Sequence, residues 1–383
     1  NGTLALADGT GSASNYSLNS TVINIAQRVL NSSGSKTYDA NTDALAGAIT
    51  LSNLVSGEAL NHSGTATISS ANAGSYTITN LSGISIADGS GGTASNYTLT
   101  GGTHNFTVNR RAVSVSGTRL YDATTNAVAS DLSTHANLVG SETLNLSGTG
   151  TIASKNVGSN KTVSVGTLAL ADGSNGGLAA NYTLSGGTHQ LTVNQRPLNA
   201  TLARQYDGTT TSAGSDLSSF DALQGGETLT MTGSGTAASA NVANGIAMSS
   251  NGTLALADGT GSASNYSLNS TVINIAQRVL NSSGSKTYDA NTDALAAAIT
   301  LSNLVSGEAL NHSGTATISS ANAGSYTITN LSGISIADGS GGTASNYTLT
   351  GGTHNFTVDT KVVSIQGNKI YDGNTTISSG DIT

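Results

Sequence analysis

Six histidines are the side chains best suited to move protons near neutral pH, and three of them share one setting. His104, His189 and His354 each close a Gly-Gly-Thr-His run, while His62, His135 and His312 stand apart from it. A nucleophilic triad needs one preorganised histidine between a serine and an aspartate. A histidine recurring beside a turn along an array reads as a strand residue, so no catalytic residue is assigned and no enzymatic activity is expected. Glutamate occurs only at Glu58, Glu142, Glu227 and Glu308. None has the acidic neighbour that paired-carboxylate chemistry requires. Asp172-Gly173-Ser174-Asn175 is the nearest approach to a calcium loop, but no Asp-x-Asp-x-Asp pattern accompanies it, and calcium asks for several carboxylates at fixed spacing. Gly89-Ser90-Gly91-Gly92 lacks the Gly-Lys-Ser/Thr that cradles phosphate. Cysteine is absent, which removes thiolate metal sites and thiol nucleophiles. No metal and no cofactor is expected.

Tyrosine is the remaining candidate for chemistry, through stacking and hydrogen bonding. Tyr-Asp pairs stand at Tyr38-Asp39, Tyr121-Asp122, Tyr206-Asp207, Tyr288-Asp289 and Tyr371-Asp372. Asn-Tyr-(Ser/Thr)-Leu recurs at Tyr16, Tyr97, Tyr182, Tyr266 and Tyr347. Tyrosines so regularly placed are expected to fill the core and to hydrogen-bond their hydroxyls. Tyr76 and Tyr326 belong to neither series and are the candidate glycan contacts, as platforms for a sugar ring.

The spacing of these motifs sets the architecture. Successive Tyr-Asp pairs lie 83, 85, 82 and 83 residues apart, and a basic residue precedes each tyrosine by ten positions. Repeat modules therefore run 28–110, 111–195, 196–277 and 278–360, with partial modules at 1–27 and 361–383. Residues 1–108 return at 251–358 with one difference, Gly47 against Ala297. Apolar residues alternate with polar ones, as in Leu144/Leu146, Val163/Val165 and Leu191/Val193, which is strand periodicity. The expected fold is all-β: a tandem array of antiparallel, Ig-like β-sandwich modules of about seven short strands each, forming a stiff rod without flexible linkers. A β-solenoid is the alternative. Of 383 residues only 9% are charged and 48 are glycine, so the core must be assembled from small aliphatic residues and tyrosine. A net charge of −8 offers no basic footprint for nucleic acid.

Smaller features carry expectations too. The Asp-Gly glycines, Gly9, Gly89, Gly173, Gly259 and Gly339, suggest positive φ. The residue after Tyr-Asp is Ala at 40, 123 and 290 but Gly at 208 and 373, so it should not need positive φ. Each glutamate follows its module's Tyr-Asp aspartate by 19 or 20 residues, and Lys36, Arg119, Arg204, Lys286 and Lys369 each precede a tyrosine by two. Either the glutamate and this base pair across strands or both are independent surface charges. Asn96, Asn105, Asn145, Asn181 and Asn199 each open an Asn-x-Ser/Thr sequon.

The Tyr-Asp-Gly, Leu-Ala-Asp-Gly, Ala-Asn-Tyr-Thr-Leu-Ser-Gly-Gly-Thr-His and Gln-Arg-Pro-Leu segments resemble the YDG/MBG repeats of large filamentous-haemagglutinin-like bacterial adhesins, over the whole chain. The resemblance implies an extracellular segment at the surface or in the biofilm matrix of a Gram-negative cell, exported through an outer-membrane two-partner transporter. It implies a structural stalk in adhesion or aggregation, or alternatively a multivalent array binding exopolysaccharide or host-cell glycans, or homotypic contact between filaments. Two segments depart from the pattern: Asn-Ser-Thr-Val-Ile-Asn replaces the Gly-Gly-Thr-His region at 19–24 and at 269–274.

Overall fold

The computed structural model describes residues 4–19 and 22–382; Ser20 and Thr21 of the first departing segment lie outside them. The only helical elements among the described residues are three-residue 3-10 turns. The chain divides into two compact units. One holds Asn1–Arg119 and Thr124–Asn194, the other Leu120–Ala123 and Gln195–Thr383.

In the first unit, module 28–110 contains β1 (Arg28–Val29), β2 (Asn31–Thr37), β3 (Asp43–Leu45), β4 (Ile49–Ser52), β5 (Leu60–Ile68), β6 (Gly74–Asn80), β7 (Ile84–Asp88), β8 (Tyr97–Thr98) and β9 (His104–Asn109). The main sheet has the order β3-β5-β6-β9-β2-β4, with β7 also paired to β5. Its outermost strands, β3 and β4, are joined in sequence by the single 3-10 turn Ala46–Ala48. A flat sheet cannot have its two edges one turn apart, so the sheet curls into a half-barrel. Alternation decides what the curl encloses: β9 buries His104, Phe106 and Val108 and exposes Asn105 and Asn109. Leu30, Ala44, Ile49, Ala66, Ile68 and Ile78 complete the small core.

Gly64 makes the curl achievable. At φ 102 it bends β5, and a Cβ there would sit 1.9 Å from the Gly83 carbonyl oxygen. Before the bend β5 pairs with β7, after it with β3 and β6. The equivalent strand of module 111–195 is broken outright at Gly148 into Leu144–Ser147 and Thr149–Ile152.

The second unit repeats the plan. Module 278–360 reproduces the seven-stranded sheet strand for strand, and module 196–277 has the six-stranded equivalent. Ala200, Leu202, Ile273 and Ile275 of one module pack in a single cluster with Leu280 and Tyr347 of the next, so no linker separates them.

Three sequence expectations need correction. Pairing is not antiparallel throughout: β2 runs parallel to β9, from Ser32↔His104 to Thr37↔Asn109, and Arg196–Gln205 runs parallel to Tyr266–Ala276. The cause is the module's closure, which lays its first long strand beside its last. The Asp-Gly glycines do not have positive φ. At Gly89, Gly173, Gly259 and Gly339 a Cβ would instead lie within 2.1–2.4 Å of a carbonyl oxygen of the facing strand. Conversely, the residue after Tyr-Asp is left-handed in every module: Ala40, Ala123 and Ala290 at φ 62, 63 and 68, Gly208 and Gly373 at 77 and 84. Alanine tolerates this because the Asp39 carboxylate accepts the Asn41 N–H across the turn (3.2 Å). Lys36 Nζ clamps the same turn, donating to Asp39 Oδ1 (2.9 Å), Asn41 O (2.8 Å) and Asn41 Oδ1 (2.7 Å).

Candidate functional site: a tyrosine–glutamate junction

That clamp overturns the proposed glutamate–base pair. Lys36, Arg204, Lys286 and Lys369 each pair with the aspartate three residues on, within their own turn. Arg119 donates to Thr124 Oγ1 (3.1 Å) and Thr124 O (2.7 Å). The Lys286 ammonium holds the Asp289 carboxyl below its usual range.

The glutamates have different partners. Tyr38 continues the β2–β9 ladder, its N–H bonded to Asn109 O (2.9 Å). Its hydroxyl donates to Glu142 Oε1 of the following module at 2.7 Å. Glu142 closes a tight turn, its N–H on Val139 O (3.1 Å). Its second oxygen, Oε2, accepts the hydroxyl of Tyr182 from its own module at 2.5 Å, and that hydroxyl accepts the Val139 N–H at 3.0 Å. The rings of Tyr38 and Tyr182 meet edge to face, centroids 5.4 Å apart.

Two further clusters follow the same plan in the second unit. Tyr121 and Tyr266 donate to Glu227 (2.6 and 2.9 Å), and Tyr206 and Tyr347 donate to Glu308 (2.7 Å each). Their ring pairs lie at 5.3 and 5.4 Å. Burial, then the bond to Glu142, pushes the Tyr38 and Tyr182 hydroxyls up to about 12. Burial likewise lifts Tyr266 and Tyr347 to about 12, and Tyr206 upward.

The other recurrent motifs place these three side chains. Asp172 Oδ1 accepts the Ala179 N–H (2.7 Å) and so caps the 3-10 turn Ala179–Asn181, from which Tyr182 emerges. Asn181, 1% exposed, accepts the Ala73 N–H of the preceding module (2.8 Å) and donates to Asn72 Oδ1 (3.1 Å). Its side chain is thereby removed from the accessible sequons. The base at the head of a module holds the previous Tyr-Asp carbonyl: Arg196 Nε donates to Tyr121 O at 2.7 Å and Arg111 Nη1 to Tyr38 O at 3.4 Å. Sequence reasoning registered the tyrosines, glutamates, Asp172, Asn181, Arg111 and Arg196 by their period, but not Asn72 or Ala73. It missed that the contacts run from one module to the next, for which the only signal was that Tyr-Asp, glutamate and base recur together.

Tyr76 and Tyr326 lie elsewhere. Tyr76 sits on β6 opposite Phe106, half-buried, its ring over Gly74 and its hydroxyl 3.5 Å from Ala73 O. Tyr326 has the same surroundings and packs against its module's core. Tyr288 is 38% exposed and Tyr371 92%, against 3% for Tyr38. His104 is buried, with Nδ1 2.9 Å from Ser32 Oγ and Nε2 2.8 Å from Leu99 O; among the described residues no carboxylate bonds to either. Among the described residues no group of three or more His, Asp or Glu could hold a metal ion, and no helix is long and apolar enough to cross a membrane.

These features define an all-β protein of tandem half-barrel modules locked by shared polar contacts. The YDG domain family model matches four times in succession, at 25–105, 104–191, 187–273 and 276–356; the chain belongs to that family. No curated protein matches it. A solved structure described as the Bacillus anthracis TIE protein aligns at 9% identity and TM-score 0.17, over 84% of this chain and 65% of that one. The chain thus spans just under two thirds of that structure's length.

Proposed function

We propose that this chain is a load-carrying spacer in a bacterial surface adhesin, working outside the cell and reaching it through an outer-membrane transporter. The observation that carries this reading is the junction: each of Glu142, Glu227 and Glu308 ties one tyrosine of its own module to one of the module before. Continuous core packing between modules 196–277 and 278–360 supports it, since a spacer must pass force along the chain without slack. Single-molecule pulling tests it. Four discrete unfolding events are expected, each releasing on the order of 280 Å of contour length for a module of this size. Featureless extension at low force would refute the spacer. The same chain, immobilised, is expected to retain neither exopolysaccharide nor cell-surface glycans. Retention lost in a folded Tyr76→Ala, Tyr326→Ala double variant would favour a multivalent glycan-binding array instead.

A further inference from the structure

Module 111–195 is entered through a residue that the other full modules lack. The position before the leading arginine is Gln27, Gln195 and Gln277 in those modules. Each of these glutamines donates from Nε2 to the middle carbonyl of its module's 3-10 turn, Ser95 O, Ser264 O and Ser345 O, at 3.0, 3.1 and 3.1 Å. The amide thus ties the entry of the module to the turn from which its Asn-Tyr tyrosine emerges. In module 111–195 the position holds Arg110 instead. Arg110 is exposed, and its side chain takes part in no hydrogen bond or ion pair among the described residues. Arg111 beside it is committed, to Asn137 O at 2.6 Å and Tyr38 O at 3.4 Å.

Arg110 lines a cleft of about 270 Å³, just below the usual range for drug-sized ligands. Leu168 and Leu170 bring the strand Ala169–Asp172 to one part of it, and Leu184 and Ser185 follow the strand Tyr182–Thr183 into another. Six of the ten lining residues are aliphatic and Arg110 alone is charged. Asp172, the acid of the adjoining strand, is engaged by the Ala179 N–H and does not line the cleft. A guanidinium presents paired N–H donors that match the two oxygens of a carboxylate, and an aliphatic wall favours a ligand body without hydroxyls.

We infer that this cleft binds a small aliphatic carboxylate, its charged end on the Arg110 guanidinium and its body against Leu168, Leu170 and Leu184. The site goes beyond the spacer reading and does not depend on it.

Saturation-transfer NMR of the full chain with hexanoate tests this. Binding should saturate with a Kd on the order of 1 mM, as suits a ligand of so few atoms. Arg110→Gln installs the residue of the other modules and should weaken binding at least about tenfold. Because Arg110 makes no bond within the chain, this variant should melt no earlier than wild type. Hexanamide, which lacks the charge, and glucuronate, which carries the carboxylate on a hydroxylated body, should each bind at least about tenfold more weakly than hexanoate. A wild-type chain that shows no saturable binding overturns the inference, and so does an Arg110→Gln variant that binds as tightly as wild type. Hexanamide binding as tightly as hexanoate would remove the charge from the recognition and overturn it too. Equal binding of glucuronate would overturn it by making the ligand an acidic sugar.

Discussion

Replacing Glu142 by alanine should uncouple module 28–110 from module 111–195. The substitution deletes the acceptor of two hydroxyl donors, Tyr38 at 2.7 Å and Tyr182 at 2.5 Å. Hydrogen bonds to a charged group contribute about 1.5–3 kcal/mol each, so the gross loss is about 3–6 kcal/mol. The carboxylate was itself desolvated, and Tyr182 keeps the Val139 N–H. The net cost should therefore fall near the lower limit, about 3 kcal/mol. For a module of this size that is a fall in Tm of roughly 12–24 °C. Glu142→Gln should cost less, about 1–1.5 kcal/mol, since a carboxamide accepts one hydroxyl and donates to the other. Urea unfolding with peptide-resolved hydrogen exchange reads the outcome. Protection should fall around Tyr38–Asn41 and around Tyr182, while module 278–360 is unchanged. In a double-mutant cycle, Tyr38→Phe and Glu142→Ala should show a coupling of about 1.5–3 kcal/mol. A coupling below about 0.5 kcal/mol would refute the junction. An Arg119→Ala variant that matched Glu142→Ala would restore the glutamate–base pair that the geometry rejects.

Alkali should weaken the fold in a defined window. Tyr38, Tyr182, Tyr266 and Tyr347 hold their protons to about 12 in the folded chain, whereas unfolded tyrosine releases its proton near 10. The native state thus binds more protons between the two values, and stability falls as pH rises from about 10 to about 12, by on the order of 1 kcal/mol per tyrosine after screening at the junction rim. Urea midpoints that stayed flat from pH 9 to 11, with tyrosinate absorbance rising at the same pH in folded and unfolded chain, would contradict this. Gly148→Ala should disrupt its module by more than about 3 kcal/mol, because φ is 85 and the new Cβ would meet Thr167 O at 2.1 Å; a normal thermal melt would count against the hinge. Ala290→Gly should be neutral or stabilise by up to about 1 kcal/mol by relieving a left-handed alanine. Gly208→Ala should destabilise by at least that much, since its Cβ would also press on Val305 Cγ1 at 2.9 Å. Destabilisation by Ala290→Gly, or no loss of stability in Gly208→Ala, would show that the turn's backbone is not what limits it.

The all-β class and the repeat were legible because strand alternation and motif spacing are local properties of the sequence. The hydroxyl partners were not. Tyr38 and Glu142 lie 104 residues apart, and no local pattern ties a residue of one module to a residue of the next. The glutamate–base expectation failed because a nearer carboxylate was available: Asp39 is three residues from Lys36 and reaches it at 2.9 Å. The glycine expectations failed for a related reason. A turn signal such as Asp-Gly shows that the position excludes a side chain but does not say why. At Gly89 the reason is the Ala59 carbonyl oxygen, 2.4 Å from where a Cβ would stand, which is a property of the facing strand. The left-handed alanines were misread because a tolerated alanine looks like an undemanding position, when the Lys-Asp-Asn clamp is what makes it tolerable.

The internal duplication shows where the specification of structure lies. Residues 4–19 and 22–27 repeat 254–269 and 272–277 without a difference. In the second position they form the strands Ala255–Asp258 and Tyr266–Ala276, and Ile273 and Ile275 are 0% and 1% exposed. In the first they form no strand, and Ile23 and Ile25 are 71% and 92% exposed. Propensity and patterning are the same in both, so neither decides the outcome. The difference is the parallel partner Arg196–Gln205, against which Tyr266–Ala276 is zipped along its whole length. The module is the smallest unit that closes its own sheet. The tyrosine–glutamate junction then ties each module to the one before it, since one carboxylate accepts a hydroxyl from its own module and a hydroxyl from its neighbour.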